Sequence, residues 1–282
     1  MRFPIALKPF SQGSKPTCEL PLGSVLLDVL LNFTTGGVNM TVAQMKAWVK
    51  NLRVKLNNGK IVWDIRKTDY LMAANGINGA QYATVDGYLR LFFAEPWRRT
   101  IEGEDFPGLG TGDLSAAIIE IEWDDAAVNP AVSGKVYVDS GPNRSAFALP
   151  IRKFRHLNFT PAGAGLFQLD KIDQGPDLFY TRFHFFSALV TSARLTIDRT
   201  VAYEDLSLAE VAEILRNRGM VAQANTYSLV FDITQRYQDK LQTFYAKNGS
   251  YGGKIQDFRV HANATGAGAI DVLVEEYSFL ES

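Results

Sequence analysis

The sequence predicts an all-β protein with a few short helices, built as two tandem jelly-roll β-sandwiches, and three observations carry that prediction. The first is an internal duplication. Arg53-Val-Lys-Leu-Asn57 falls on Arg194-Leu-Thr-Ile-Asp198, and without a gap Asp64 then falls on Asp205, Ile65 on Leu206 and Asp69 on Glu210. After a deletion of two residues, Tyr88, Leu91 and Phe92 meet Tyr227, Val230 and Phe231. Both copies read strand, short helix, strand. The second observation is the run of short β-rich segments between Gly, Pro and Asn-Gly punctuation, about eight in each half. The third is that each half carries a short helix at an equivalent place, which decorates a sandwich rather than alternating with strands.

The elements follow in chain order. Residues 1–16 hold Arg2, Lys8 and Lys15 and no acid, with proline at 4, 9 and 16. Proline removes donors and fixes φ, so this stretch is expected to be an extended arm outside any sheet, either a frayed terminus, the commoner case, or an arm that orders on a neighbouring subunit or an anionic surface. Val25 to Phe33 is a strand that ends in the turn cluster Thr34-Thr-Gly-Gly37. Thr41 and Gln44 form a capping box that opens a short helix through Ala47. Trp48, Leu52, Val54 and Leu56 share one parity of a half-buried strand. Asn58-Gly59 is a hairpin turn, and a helix from Thr68 to Ala74 stops at Asn75-Gly76. Strands at Tyr88 to Ala94 and Ala116 to Trp123 flank the loop Pro107 to Gly112, read as flexible and exposed.

Residues 126–145 contain Pro130, Gly134, Gly141 and Pro142 and read as the connection between halves. Strands then recur at Leu178 to Leu189, in the second copy of the duplication, at Ile255 to Val260 and at Ile270 to Phe279. The second helix has Ser207 as N-cap, Glu210 at N3, Leu206 and Val211 at the staple positions and Gly219 as αL stop. Leu208, Val211, Ala212 and Leu215 form its apolar stripe. The resulting division is an N-terminal arm over 1–16, a first jelly roll over 17–128, a linker over 129–148 and a second jelly roll over 149–282.

Composition narrows the function. With 46% apolar and 21% charged residues and a net charge of −1 in 282 residues, the chain is globular and offers no broad basic surface for nucleic acid. Cys18 is the single cysteine, so no disulfide forms within the chain. The longest apolar run, Val25 to Phe33, is short of a membrane span and is broken by Asp28. No apolar leader follows Arg2, so a secretory signal is not expected. The six Asn-x-Ser/Thr sites at Asn32, Asn39, Asn143, Asn158, Asn248 and Asn263 then read as coincidence.

Candidate chemistry is sparse. His156, His184 and His261 stand singly, without the spacing of metal ligands, and read as structural. No nucleophile elbow, phosphate loop or zinc-protease motif is present. Gly108-Leu-Gly-Thr-Gly112 is followed by a strand, whereas a phosphate cradle must open a helix. Cys18 lacks an electropositive neighbour in sequence and reads as a small buried hydrophobe. Glu120, Glu122 and Asp124 share one face of a strand, as a solvated sheet face does and as the carboxylate pair of some jelly-roll glycosidases does. The expected counterpart strand, Ile270 to Tyr277, does not keep the trio. Glu102, Glu104 and Asp105, with Asp124 and Asp125, gather oxygen ligands in loops, where solvation is the default and calcium the alternative.

Scattered segments resemble the double jelly-roll major capsid proteins of tailless icosahedral bacteriophages with an internal membrane, of the corticovirus type. They are Cys18-Glu-Leu-Pro-Leu-Gly23, Thr41-x-x-Gln44-Met-Lys46 running into Asn51-Leu-Arg-Val-Lys-Leu56, and Arg194 to Phe231. The resemblance implies a homotrimer whose six barrels tile as a pseudo-hexagon over a lipid vesicle, with neighbouring capsomers, a vertex protein and the internal membrane as partners. It implies a place in the virion capsid, assembly in the host cytoplasm, no catalytic site and no cofactor, with calcium in the shell as an option. Arg2, Lys8 and Lys15 would then face lipid phosphates. The alternative reading is a jelly-roll carbohydrate-active enzyme or binding module that uses the Glu120/Glu122 face.

Overall fold

The computed structural model describes residues 2–57, 59–98, 107–139, 144–147, 149–169, 172–236, 239–247 and 250–280. The chain divides into two compact units, one of Met1–Asn75, Tyr82–Arg155 and Phe279–Ser282 and the other of Gly76–Gln81 and His156–Ser278.

The first unit is made by β1 (Arg2–Ala6), β2 (Thr17–Glu19), β3 (Val25–Thr35), β4 (Val38–Asn39), β5 (Val49–Leu56), β6 (Lys60–Ile65), β7 (Tyr88–Phe92), β8 (Leu109–Gly110), β9 (Ala117–Trp123) and β10 (Pro130–Asp139), with α1 (Val42–Trp48) and α2 (Thr68–Gly76) between strands. One sheet runs β1-β10-β3, with β4, β7 and β8 also pairing β3; the other runs β2-β9-β5-β6. Two antiparallel sheets interleaved in this order are a jelly roll. Its inner faces follow the strand period of two: Val29, Leu31 and Phe33, Leu52, Val54 and Leu56, Ile119 and Ile121 are all fully buried.

The second unit repeats the plan with β11 (Ile151–Phe159, whose first residues belong to the first unit), β12 (Gly165–Gln168), β13 (Leu178–Phe186), β14 (Val190–Ile197), β15 (Thr200–Ser207), β16 (Thr226–Val230), β17 (Leu241–Gln242), β18 (Phe244–Lys247), β19 (Ser250–Lys254), β20 (Phe258–Ala264), β21 (Ile270–Ser278) and α3 (Leu208–Arg216). Its sheets run β11-β21-β13-β16 and β12-β20-β14-β15. Phe183, Phe185, Tyr227, Leu229, Val260, Val272 and Val274 centre its core. The main strands of the two barrels therefore follow the same sheet order, while β4 and the β18–β19 hairpin have no counterpart.

Two boundaries expected from sequence are corrected. Residues 2–6 are not an arm outside the sheet: β1 pairs antiparallel with β10 from Arg2↔Asp139 to Ala6↔Lys135. Pro4 is accommodated because β1 is an edge strand, where a missing donor costs no ladder bond. Within the segment 129–148, residues 130–139 are not a linker either. β10 occupies Pro130–Asp139 and pairs with β3 as well as β1. Gly134 looks like punctuation in the sequence, yet it marks close packing: a Cβ there would lie 2.8 Å from the Leu30 carbonyl oxygen of β3.

The described part of the glycine loop is also not a free surface loop. Leu109 is buried on β3, and a Cβ on Gly110 would collide with the Arg144 carbonyl oxygen. Trp48 ends α1 rather than opening a strand. Both capping boxes are present: Thr41 and Ser207 accept from the amides of Gln44 and Glu210, whose side chains accept from the cap amides in return. Val211 and Leu215 are buried, whereas Leu208 is left exposed, and Gly219 takes the left-handed conformation that stops the turn.

Candidate functional site

The face that carries Glu120 and Glu122 is built by a hairpin and its neighbour. Asn57 turns the β5–β6 hairpin at φ 47°, in the left-handed region that Asn tolerates better than most residues. Its side-chain oxygen accepts from the Ser115 amide at 2.9 Å and its own amide donates to the Ala116 carbonyl at 2.8 Å, which fixes where β9 starts. The resulting register sets Arg53 between Asp64 on β6 and Glu120 on β9. Arg53 Nε donates to Asp64 at 3.0 Å and Nη1 to Glu120 at 3.3 Å, with Glu122 at 3.9 Å. Lys55 donates to the other Glu120 oxygen at 2.6 Å, and Lys15 lies 3.3 Å from Glu122.

Such pairing decides what the carboxylates can do. The Lys55 hydrogen bond leads the effects that hold Glu120 below the usual carboxylate range. Burial pushes Glu122 upward, but the Lys15 hydrogen bond and the nearby cations outweigh it, and it too is lowered. A glycosidase needs one carboxylic acid with a raised pKa to protonate the leaving oxygen. Neither residue fits that role. Asp124 does not join them: its side chain accepts from the Ala126 amide at 3.0 Å and closes the turn after β9. The geometry does not support the carbohydrate-active alternative.

The same hairpin recurs in the second barrel. Asp198 sits at φ 46°, its side chain accepts from the amides of Gln256 and Asp257 at 3.0 and 2.9 Å, and its amide donates to the Asp257 carbonyl at 2.7 Å. Arg194 again meets the aligned acid, Asp205, at 3.5 Å. The strand that corresponds to β9 is thus β20, not Ile270 to Tyr277. On it His261 faces Arg194, and Asn263 stands at the position of Glu122.

Glu102, Glu104 and Asp105 lie outside the described residues, as do Asn58, Asn143 and Asn248. Asp125 is exposed beside Asp124. Among the described residues no three His, Cys, Asp or Glu side chains converge as a metal-holding group. At the amino terminus Lys8 pairs with Glu19 at 2.7 Å and Lys15 with Glu122, while Arg2 stands on β1 opposite Asp139. Cys18 donates to the Lys8 carbonyl at 3.2 Å, and burial leads the effects that push its thiol up to about 11, which leaves it unreactive near neutrality. Asp28 on β3 is half-buried with Arg90 4.0 Å away, and burial pushes it up to about 6.

Sequence reasoning missed two buried polar clusters: in the first unit Arg98 donates from Nε and Nη2 to the two oxygens of Glu95 at 2.8 and 2.9 Å, and the other lies in the second barrel. On the face of β13 opposite Phe183 and Phe185, Arg182 donates from Nε and Nη2 to the two oxygens of Asp232 at 3.1 and 3.3 Å. His184 lies 2.8 Å from Ser228 Oγ through Nδ1 and 2.7 Å from Glu275 through Nε2. The order Ser–His–Glu has the composition of a hydrolase triad, yet Ser228 is 3% exposed and cannot meet a substrate. This is a structural network. Its only trace in the sequence is the polar parity of Arg182 and His184 inside an aromatic strand.

Residues 5–139 match the family model of the viral coat protein P2 N-terminal domain, and residues 151–280 match that of the C-terminal domain. Among curated proteins none matches the chain. Among solved structures, the major capsid protein P2 of bacteriophage PM2 is similar over 100% of this chain and 98% of its own, at 19% identity and a TM-score of 0.84. The STIV major capsid protein is similar over 99% and 97% of the two chains (12% identity, TM-score 0.66), and the PBCV-1 virus capsid protein over 98% and 93% (11%, 0.60). At these identities the structures establish the double jelly-roll fold.

Proposed function

The chain belongs to the viral coat protein P2 family, and from that premise we propose that its two barrels are adjacent tiles of a homotrimeric capsomer. The protein is a major capsid protein and its place is the virion shell. The observation that supports the finer reading is the shared sheet order of two barrels whose outer side chains differ. Three such chains around a three-fold axis present six barrels to six lattice neighbours, and the differing faces let alternate edges make different contacts. A shell with five-fold vertices needs a separate vertex protein there, because double barrels add to an even number.

Contact with an internal membrane is through surface residues in this proposal, since no helix among the described residues is long and apolar enough to cross a bilayer. Arg2, Lys8 and Lys15 are the candidates for that face. Lys8 and Lys15 each already hold a carboxylate, so their attraction to anionic lipid is weak and salt-sensitive.

Size-exclusion chromatography with light scattering tests the trimer: a mass three times that of the chain, stable to dilution, is expected, with interfaces of ~2,000 Å² or more. A monomer at every concentration overturns it. Flotation with phosphatidylglycerol vesicles at low salt tests the lipid face, with loss of binding expected when Arg2, Lys8 and Lys15 are all changed to Gln.

A further inference from the structure

We propose that the outer face of β14 and β20 is an assembly contact that receives an Asp or Glu carboxylate from a neighbouring copy of this chain, seated against Arg194 and His261. The inference rests on the coat-protein reading and deepens it by assigning one contact. The first barrel supplies the standard, because there the same arginine has its requirements met. Arg53 has Asp64 on one side and Glu120 and Glu122 on the other, all from its own sheet.

In the second barrel the hairpin turn, the arginine and the first acid are kept, but both carboxylates on the far side are gone. His261 replaces Glu120 and Asn263 replaces Glu122. Asp205 is the one carboxylate paired with Arg194 among the described residues, at the longer distance of 3.5 Å, and it also accepts from Ser192 Oγ at 3.3 Å. Arg194 Nε is buried with no hydrogen-bond partner. That nitrogen is enclosed, so an incoming carboxylate meets the exposed end of the guanidinium, where Asp205 is held only through Nη1 at 3.5 Å. An arginine fork matches a carboxylate, and an imidazole beside it can supply a further donor.

Access and charge agree with such an occupant. The Arg194 side chain is 32% exposed, and Arg259, two residues from His261 on the same face, is more exposed still. Asp205 and Asp257 pair with the two arginines, so the face is close to neutral until His261 gains a proton. A singly charged carboxylate suits that balance better than a doubly charged phosphate. A coat protein packs against copies of itself, and with 30 acidic against 29 basic residues the chain has no global attraction to supply instead.

The test compares wild type with three variants by light scattering and thermal melting. His261→Glu supplies the missing carboxylate within the barrel. It is expected to raise the melting temperature of the dissociated subunit and to weaken self-association about tenfold or more. Arg194→Gln is expected to weaken association to the same degree with an unchanged circular dichroism spectrum. Glu120→Gln, which alters the satisfied ladder, is expected to leave association as in wild type. The proposal is overturned if His261→Glu and Arg194→Gln associate like wild type, or if Glu120→Gln weakens association equally. It is also overturned if millimolar inorganic phosphate stabilises wild type but not Arg194→Gln while association is the same in both, since the site is then an anion site. A wild type that stays monomeric removes the coat reading and this contact with it; a wild type that associates no better than its variants removes this contact alone.

Discussion

The two barrels share a chain path but place the charges of corresponding strands at different depths, although the first unit also buries one pair, Arg98 with Glu95, away from these strands. In the first, the acids and bases of β5, β6 and β9 form a half-exposed ladder on the outer face, and the outward side of β3 holds Asp28 with Arg90 and Arg2 acting on it. In the second, the corresponding ladder is depleted on β20, while the outward side of β13 buries Arg182 and His184 against Asp232 and Glu275. A duplicated backbone therefore did not keep its electrostatics. What persisted is the geometry that only a few side chains can set: the left-handed Asn57 and Asp198, the arginine beside each turn and the acid across from it. The charges that varied are those whose partners come from a third strand.

The contrast between barrels is tested most severely at its most buried point. Asp232→Ala leaves Arg182 charged and enclosed, and should destabilise the fold by about 3–5 kcal/mol, read by denaturant titration. A loss below ~1 kcal/mol would show that the buried network is no stronger than an exposed ladder. Next is Asp28, where the sign runs the other way. Its folded pKa of about 6 lies above the ordinary value of 3.8, so the stability it contributes is full below pH 3.8 and is lost as pH rises through 6. Asp28→Asn should therefore stabilise the protein at pH 8 by about 3 kcal/mol, since each tenfold change in proton affinity on folding is worth ~1.4 kcal/mol, and leave it unchanged near pH 3.5. Melting curves at the two pH values give the answer.

Smaller effects probe what the barrels share. Asn57→Ala and Asp198→Ala should each cost about 1–2 kcal/mol, for a left-handed residue and the amides it held, and the two values should agree closely. A large inequality would mean that the turns are similar only in shape. Smallest of all, Glu120→Gln removes half-exposed pairs and should cost ~1 kcal/mol or less, vanishing in molar salt. A cost that survives high salt would place that ladder with the buried network instead.

Much of this was legible because it is local. The two capping boxes, the left-handed stop at Gly219 and the parity of Leu52, Val54 and Leu56 depend on neighbours within a few residues. The duplication supplied the rest of the architecture, since Arg53, Asp64 and Asp69 align with Arg194, Asp205 and Glu210 without any knowledge of where they point. The errors share a cause. Pro4, Pro130 and Gly134 look like breaks, because a sequence does not show whether a missing donor faces an open edge or whether a missing Cβ faces a neighbouring backbone. The carboxylates Glu120 and Glu122 look available because Lys55, Arg53 and Lys15 are paired with them only by register.

Fold class, repeat and the two capped helix starts are properties of the chain alone, for they follow from periodicity and from side chains that bond their own backbone. The family is too, through residues spread over both halves. Which strands close each barrel, which glutamates are neutralised and which face of β13 is interior were settled only by folding. Those outcomes depend on pairing between residues as far apart as Arg2 and Asp139, and on the burial that such pairing creates.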